Sequence, residues 1–268
     1  MTTPLVGFLG YGRMAQAISE GLEKSGLVPY KRQLASDVAA GMLAGLKDKR
    51  GIIAVPDNRS LAEKSPIIVV AVKPHQVRGA LSEIREQLKD QLVISIAAGV
   101  TLATLGELVP DTCSLVRVIP NLPALVGKGV TLLAAPRDTD KEDLDNARKI
   151  FQAVGDVVDL PESLFNEGTA VSGSGPAYFF LVMEAMIRGA VRLGLTWDQA
   201  RRLVVRTCEG AAATALARPG QNLADLRDQV TSPGGTTAEG LLALEEGALT
   251  ALFHAALKAA SDKGRELS

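Results

Sequence analysis

The feature that most constrains the fold of this chain is its opening segment, where an apolar run meets two closely spaced glycines. Residues 4–9 (PLVGFL) predict a short buried strand, and Gly10 and Gly12 then turn the chain. The apolar positions that follow at helical spacing are Met14, Ala15, Ala17, Ile18 and Leu22. A strand that turns directly into a helix leaves unpaired N–H groups, which attract phosphate. Because a side chain at either glycine would hold a pyrophosphate away from the backbone, the segment predicts a dinucleotide site.

Composition and charge exclude several classes of function. The chain has 268 residues, of which 47% are hydrophobic, so it can form one large or two moderate domains. A net charge of −1 provides no basic field for nucleic acid or an anionic membrane. Two distant cysteines and two histidines predict neither a disulfide framework nor a metal site. Without an apolar leader, or an uncharged run of roughly 20 residues, we expect a cytoplasmic protein.

Strand and helix patterns alternate over the first 160 residues. After the first strand, further strands are predicted at residues 33–36, 51–55, 66–72, 92–96, 114–118, 129–135 and 157–160. Helical patterns lie between them, including one over residues 76–89. This alternation predicts an α/β Rossmann-like dinucleotide-binding domain, which we assign to residues 1–162.

Several polar or small residues follow the predicted strands, at the sheet edge where ligands bind in such folds. Ser36 ends the second strand, where the adenosine ribose is expected, and Asp37 follows it. The serine leaves space and a donor for a 2′-phosphate, whereas the acid favours a free 2′-hydroxyl; either residue could instead cap the next helix. Lys73 places a cation after the most apolar strand, as a ligand contact or as a solvated strand end.

Two further segments suggest ligand contacts in this domain. The small residues Ala97, Ala98 and Gly99 leave room for a flat ring at the end of the fifth strand. Pro120 and Pro123 restrict the backbone around Asn121 and suit it to presenting its amide to a ligand.

The pattern is helical from residue 166 onward. A capping box at Thr196 and Gln199 opens a helix that we expect to reach about residue 217. The helices between residues 177 and 260 are apolar over most of their circumference, so burial between two subunits is expected. We assign residues 163–268 to an all-α domain for substrate binding and dimerisation.

A glycine turn before one of these helices is the second candidate for chemistry. Pro233, Gly234 and Gly235 cannot continue a helix, so a helix is expected to start at Thr236 or Thr237. Free N–H groups and two hydroxyls would then meet at one point and could hold a carboxylate. The alternative is an ordinary glycine turn with a threonine cap.

The absence of an obvious acid or base favours one reaction class over another. A hydroxyacid dehydrogenase usually needs a histidine or lysine base at the alcohol oxygen, and neither histidine lies in a suitable loop. Hydride addition to a protonated C=N bond needs no strong acid, so reduction of an imine is favoured. A hydroxyacid dehydrogenase-like oxidoreductase and a non-catalytic nucleotide-binding relative are the alternatives.

Six segments together resemble the pyrroline-5-carboxylate reductases, the enzymes that complete proline biosynthesis. The resemblance spans nearly the whole chain, and the segment at 226–237 is the most specific of the six. They lie at residues 7–15 (GFLGYGRMA), 71–74 (AVKP), 97–101 (AAGVT), 120–123 (PNLP), 171–178 (VSGSGPAY) and 226–237 (LRDQVTSPGGTT). Arg13 and Leu122 depart from the asparagine and threonine usual in the family.

The resemblance implies reduction of 1-pyrroline-5-carboxylate to L-proline by NADPH, with NADH as a competitor. It also implies a homodimer through the helical domain, and rings of five dimers in some members. The implied cofactor contacts are Gly10, Tyr11, Gly12, Arg13, Met14, Ser36, Asn58, Ala71, Val72, Lys73, Pro74, Ala97 and Gly99. The implied substrate contacts are Asn121, Ser232, Gly234, Gly235, Thr236 and Thr237, with the Thr237 hydroxyl on the ring nitrogen as the catalytic group.

Overall fold

The computed structural model describes residues 5–38, 43 and 51–267, which form two compact units. The first unit comprises Met1–Gly173 together with Ala260–Ser268, and the second comprises Ser174–Ala259. The first unit is therefore discontinuous in sequence, because the end of the chain returns to it.

The first unit is built on an eight-stranded sheet in the described residues, with the order β3-β2-β1-β4-β5-β6-β7-β8. Neighbouring strands are parallel except for β6 and β7, which are antiparallel. The strands are β1 Val6–Leu9, β2 Gln33–Ser36, β3 Ile53–Ala54, β4 Ile67–Val70, β5 Leu92–Ser95, β6 Ser114–Ile119, β7 Gly129–Ala134 and β8 Gly155–Asp159. The predicted Rossmann-like sheet is confirmed.

Helices cover both faces of this sheet. They are α1 Arg13–Lys24, α2 Asn58–Lys64, α3 Val77–Ile84, α4 Leu102–Leu108, α5 Lys141–Gln152 and α6 Phe165–Ser172. Successive strand residues point to opposite faces, so Phe8 packs in one hydrophobic cluster with α1 and α5, while Leu9 packs in another with α2, α3 and α4. Two apolar layers therefore hold the sheet and leave the strand ends for ligands.

The helix predicted over residues 76–89 is shorter in the structure. Pro74–Gln76 and Arg85–Gln87 are 3₁₀ turns, and only Val77–Ile84 between them is α-helical. Leu88 ends the segment because it is buried in the core and takes extended dihedral angles.

The second unit is entirely helical in its described residues. Its helices are α7 Gly175–Arg192, α8 Trp197–Ala217, α9 Leu223–Asp228, α10 Thr236–Glu246 and α11 Leu249–Glu266, the last of which continues into the first unit. The predicted capping box at the start of α8 is confirmed: the Gln199 N–H donates to Thr196 Oγ1 at 3.3 Å, and the Thr196 N–H donates to Gln199 Oε1 at 3.0 Å.

The second unit buries little of its apolar surface within itself. Its hydrophobic cluster has Ile187, Ala200 and Val204 as its buried members. On α7, Phe179 is 63% exposed and Leu181 is 67% exposed. A surface this apolar is typical of an interface between subunits, as the sequence predicts.

Among the described residues, one helical stretch is long and apolar enough by itself to cross a membrane, and α10 and α11 pass the same test as a bent pair. This stretch is Glu162–Arg192, and 17% of its most apolar window is buried within the chain. A helix that is buried in an oligomer interface has the same composition, so the stretch carries no argument for a membrane.

Truncation of a buried side chain in the sheet domain should lower its stability more than truncation of an exposed side chain. Phe151 of α5 is wholly buried, whereas Leu164 is 45% exposed. We expect Phe151→Ala to lower the free energy of unfolding by about 3–5 kcal/mol, because it removes buried area and leaves a cavity. Leu164→Ala is the matched control and should cost less than about 1 kcal/mol. Urea unfolding followed by circular dichroism measures both, and equal losses would contradict the assignment of the core.

Candidate functional site

The neighbouring strands β2, β1 and β4 end at the same level, and the glycine turn lies there. Leu9 is paired with Ser36 of β2 and with Val70 of β4. The Gly10 N–H donates to the Ser36 carbonyl oxygen, and the Ala71 N–H donates to the Leu9 carbonyl oxygen, each at 2.8 Å. The turn is therefore held by main-chain bonds from both sides.

The turn requires glycine at position 10, and the helix that follows Gly12 begins with unpaired N–H donors. Gly10 has a φ of +89°, and a Cβ there would lie 3.0 Å from the Ala71 carbonyl oxygen. Gly12 caps α1 without a side chain, and a Cβ there would meet nothing within 4 Å. The N–H groups of residues 13–15 donate no hydrogen bond to the described chain. This helix start can accept a phosphate group closely.

A cavity of about 610 Å³ opens in front of this turn. Ten of the predicted cofactor residues line it, together with residues that the sequence did not indicate, among them Gln76, Ala80, Glu83 and Ile96. The ten are Gly10, Gly12, Arg13, Met14, Ser36, Asn58, Ala71, Val72, Lys73 and Pro74. The glycine cradle and the free helix N–H groups fit the pyrophosphate of a dinucleotide.

Three predicted cofactor residues lie outside the lining of this cavity. The Tyr11 side chain is wholly buried, and its hydroxyl donates to Ser19 Oγ at 2.6 Å. Ala97 is also buried. Gly99 has a φ of +77°, and a Cβ there would lie 2.9 Å from the Leu267 carbonyl oxygen, so this glycine accommodates the end of the chain.

Asp37 contacts the glycine turn directly, whereas the sequence predicted a ribose contact or a helix cap for it. Its Oδ2 accepts a hydrogen bond from the Tyr11 N–H at 2.8 Å. The helix that Asp37 was expected to cap lies outside the described residues. An acidic group that is committed to the turn has less capacity to bind a ribose hydroxyl.

Helix α2 brings Asn58 to the end of the cavity next to β2. Asp57 caps this helix, and its Oδ1 accepts from the Ser60 N–H at 2.7 Å, which lowers the pKa of the Asp57 carboxyl. Ser36 Oγ donates to Asn58 Oδ1 at 2.6 Å, and Asn58 Nδ2 donates to Glu83 Oε2 at 2.7 Å. Ser36 and Asn58, both of which the resemblance implies as cofactor contacts, thus bond to each other, with Glu83 as an additional partner.

The second candidate site, in the helical unit, is the start of α10. The helix begins at Thr236, as predicted, and its cap is Gly235 without a side-chain hydrogen bond rather than a threonine. The N–H groups of residues 236–238 donate to no described residue. Gly234 has a φ of +67°, and a Cβ on Gly235 would lie 2.3 Å from Ser232 Oγ. Three free donors and the threonine hydroxyls therefore gather at one exposed helix start.

Asn121 is extended as predicted, with a φ of −121°, but its amide has partners inside the first unit. Nδ2 donates to the Ser172 carbonyl oxygen at 2.9 Å, and Oδ1 accepts from the Val130 N–H at 2.8 Å. The side chain thereby links the start of β7 to the end of α6. One amide hydrogen is left for a ligand.

A mostly parallel sheet whose glycine turn opens onto a cavity is the fold of a dinucleotide-binding α/β protein, here followed by a helical unit. Residues 162–267 match the family model for pyrroline-5-carboxylate reductase dimerisation. Residues 5–99 match the model for coenzyme F420-dependent NADP oxidoreductases. The two matches fall on the helical part and on the sheet, respectively.

Full-length relatives identify the family. The pyrroline-5-carboxylate reductase of Methanosarcina acetivorans is 40% identical and covers 100% of this chain and 99% of its own length. The solved enzyme from Coxiella burnetii is 39% identical, with a TM-score of 0.95 over 100% of this chain and 99% of that one. The enzyme from Plasmodium falciparum, solved with NADP bound, is 30% identical, with a TM-score of 0.87 over the same shares. This chain belongs to the pyrroline-5-carboxylate reductase family.

Substitution of alanine for glycine should affect stability at one position of the turn and cofactor binding at the other. We expect Gly10→Ala to reduce thermal stability, because it strains the backbone at a positive φ and crowds Ala71. Gly12→Ala should leave the melting temperature nearly unchanged and weaken NADP⁺ binding at least about tenfold, because its Cβ would block close approach of the pyrophosphate. Calorimetric titration and thermal melting measure the two effects. Full affinity in Gly12→Ala would contradict the phosphate site.

Proposed function

We propose that this chain reduces 1-pyrroline-5-carboxylate to L-proline with NADPH, with NADH as a competing donor, in the final step of proline biosynthesis. The observation that carries the proposal is the uncapped start of α10, which provides a carboxylate site in a chain that also has a dinucleotide cavity. Its family membership supports the same reaction.

The first unit would bind the cofactor through the residues that line its cavity. The free N–H groups at the start of α1 would hold the pyrophosphate, and Arg13 would add positive charge beside it. Ser36 and Asn58 would face the adenosine ribose, with Lys73 and Pro74 further along the cofactor. When bound, the nicotinamide supplies the hydride. We include Tyr11, Ala97 and Gly99 as contacts through small movements or main-chain atoms.

The helix start in the second unit would bind the substrate. The N–H groups of Thr236 and Thr237 and the Thr236 hydroxyl would hold the carboxylate, aided by Ser232, Gly234 and Gly235. We assign the Thr237 hydroxyl to the ring nitrogen. Hydride addition at carbon neutralises the positive charge of the protonated imine, so a hydrogen bond suffices there. Asn121 would contribute its remaining amide hydrogen.

The helical part would also form the dimer. We propose that residues 163–268 act as the substrate and dimerisation domain and that two copies bury the exposed apolar side chains of α7. A decamer of five such dimers is the higher assembly that we propose. The cysteines Cys113 and Cys208 are both free, which suits a reducing cytoplasm.

Oxidation of the cofactor with authentic 1-pyrroline-5-carboxylate tests the proposed function. We expect NADPH and NADH both to be oxidised, with a higher kcat/KM for NADPH. Small 2-hydroxyacids with NADP⁺ or NAD⁺ are the comparison and should give no comparable rate. Turnover of a hydroxyacid instead of the imine, or tight cofactor binding without any turnover, would contradict the proposal.

Removal of the Thr237 hydroxyl should affect turnover more than cofactor binding. We expect Thr237→Ala to lower kcat about 5- to 150-fold, which corresponds to about 1–3 kcal/mol for one hydrogen bond to a charged group. Thr237→Ser keeps the hydroxyl and is the matched control, so it should recover most of the rate. Steady-state kinetics and NADP⁺ titration measure both effects. Unchanged kcat in Thr237→Ala would remove this residue from the mechanism.

A further inference from the structure

The hydrogen-bond chain at the ribose end of the cavity ends on a carboxylate. It runs from Ser36 Oγ to Asn58 Oδ1 at 2.6 Å, and from Asn58 Nδ2 to Glu83 Oε2 at 2.7 Å. All three residues line the cavity, and they come from β2, α2 and α3. Arg59 Nε donates to the main-chain oxygen of Glu83 at 3.3 Å, whereas the Glu83 carboxylate accepts from Asn58.

The carboxylate determines the direction of both bonds. An ionised carboxylate has no hydrogen to donate, so Asn58 must turn its NH₂ group toward Glu83. The amide oxygen then faces Ser36 and accepts the hydroxyl hydrogen. Ser36, which is 4% exposed, has only lone pairs left to offer a ligand.

This direction distinguishes the two nicotinamide cofactors. In folds of this kind the end of the second strand meets the adenosine ribose, which carries a 2′-hydroxyl in NADH and a 2′-phosphate in NADPH. A hydroxyl can donate to Ser36 Oγ, whereas phosphate oxygens need a donor. Ser36 can donate to the phosphate and remain bonded to Asn58 only if the Asn58 amide turns over. The Asn58 Oδ1 would then face the Glu83 carboxylate, which is unfavourable because both groups are hydrogen-bond acceptors.

We propose that Glu83 is a positioning residue that determines cofactor choice. By fixing the amide of Asn58, it keeps Ser36 an acceptor and weakens binding of the 2′-phosphate relative to the 2′-hydroxyl. Glu83 thereby limits the preference for NADPH over NADH. The inference rests on the proposed function in one respect, namely that the cavity holds a nicotinamide dinucleotide.

The variant Glu83→Gln tests this role in the full chain. Glutamine has nearly the same size, but it can donate as well as accept, so the Asn58 amide can turn over. We expect the ratio Kd(NAD⁺)/Kd(NADP⁺), measured by calorimetry at fixed ionic strength, to rise about three- to tenfold, as one additional hydrogen bond allows. Glu63→Gln removes the same charge from an exposed position of α2 outside the cavity lining and should leave the ratio unchanged.

A double-mutant cycle with Ser36→Ala separates the effect of the Asn58 amide orientation on cofactor binding from the effect of the Glu83 charge. In the Ser36→Ala background, turning over the Asn58 amide provides no hydroxyl donor for the 2′-phosphate. The rise in Kd(NAD⁺)/Kd(NADP⁺) caused by Glu83→Gln should therefore be less than half of the rise seen when Ser36 is present. An unchanged ratio in Glu83→Gln, an equal change in Glu63→Gln, or a full effect without Ser36 would each contradict the inference while leaving the proposed function intact. A wild-type chain that binds neither dinucleotide would contradict the proposed function and the inference with it.

Discussion

The cofactor site depends on the fact that β1, β2 and β4 end at the same level of the sheet. Their parallel pairing brings Gly10, Ser36 and Ala71 together, and two main-chain hydrogen bonds of 2.8 Å hold the turn between them. These bonds join backbone atoms only, so neither depends on the side chain of Ser36 or of Ala71. The apolar layers on both faces keep the strands in register, so the geometry of the site follows from packing far from it.

The two candidate ligand sites use the same structural device in different units. Both α1 and α10 begin at a glycine that offers no side-chain oxygen to the first turn. Among the described helices, α2, α4, α5, α8 and α9 instead begin with a side-chain cap, at Asp57, Thr101, Asp140, Thr196 and Asn222. A capped helix start has already used the donors that an anion needs. Among the described helices, α3, α6 and α7 also lack a side-chain cap, but their cap residues are Gln76, Leu164 and Ser174. Helices α1 and α10 combine an uncapped start with a glycine, and phosphate and carboxylate are proposed to bind at these two starts.

The sequence predicted the features that depend on local pattern. Apolar runs marked the strands, and the spacing of Gly10 and Gly12 marked the turn, because both follow from short-range backbone requirements. It did not indicate that Asp37 binds the Tyr11 N–H or that Glu83 reaches Asn58, since these pairs are 26 and 25 residues apart in the chain. It also did not indicate that Arg117, only 3% exposed, pairs with Glu162 at 2.6 Å and stacks on the Phe165 ring. Such contacts arise from tertiary packing and have no signature in the neighbouring residues.

Helix α11 belongs to both units, because its residues from Ala260 onward pack with the first. There Arg265 pairs with Glu167, and Ser261 Oγ donates to Glu167 Oε1 at 3.3 Å. A hydrogen bond from its own main chain, together with the interactions with Arg265 and Ser261, lowers the pKa of the Glu167 carboxyl. During synthesis on a ribosome, the sheet domain would emerge first and yet lack this last piece until the helical unit had followed. The sheet domain can therefore complete its packing only after the residues of the helical unit, which we propose to bind substrate, have been synthesised.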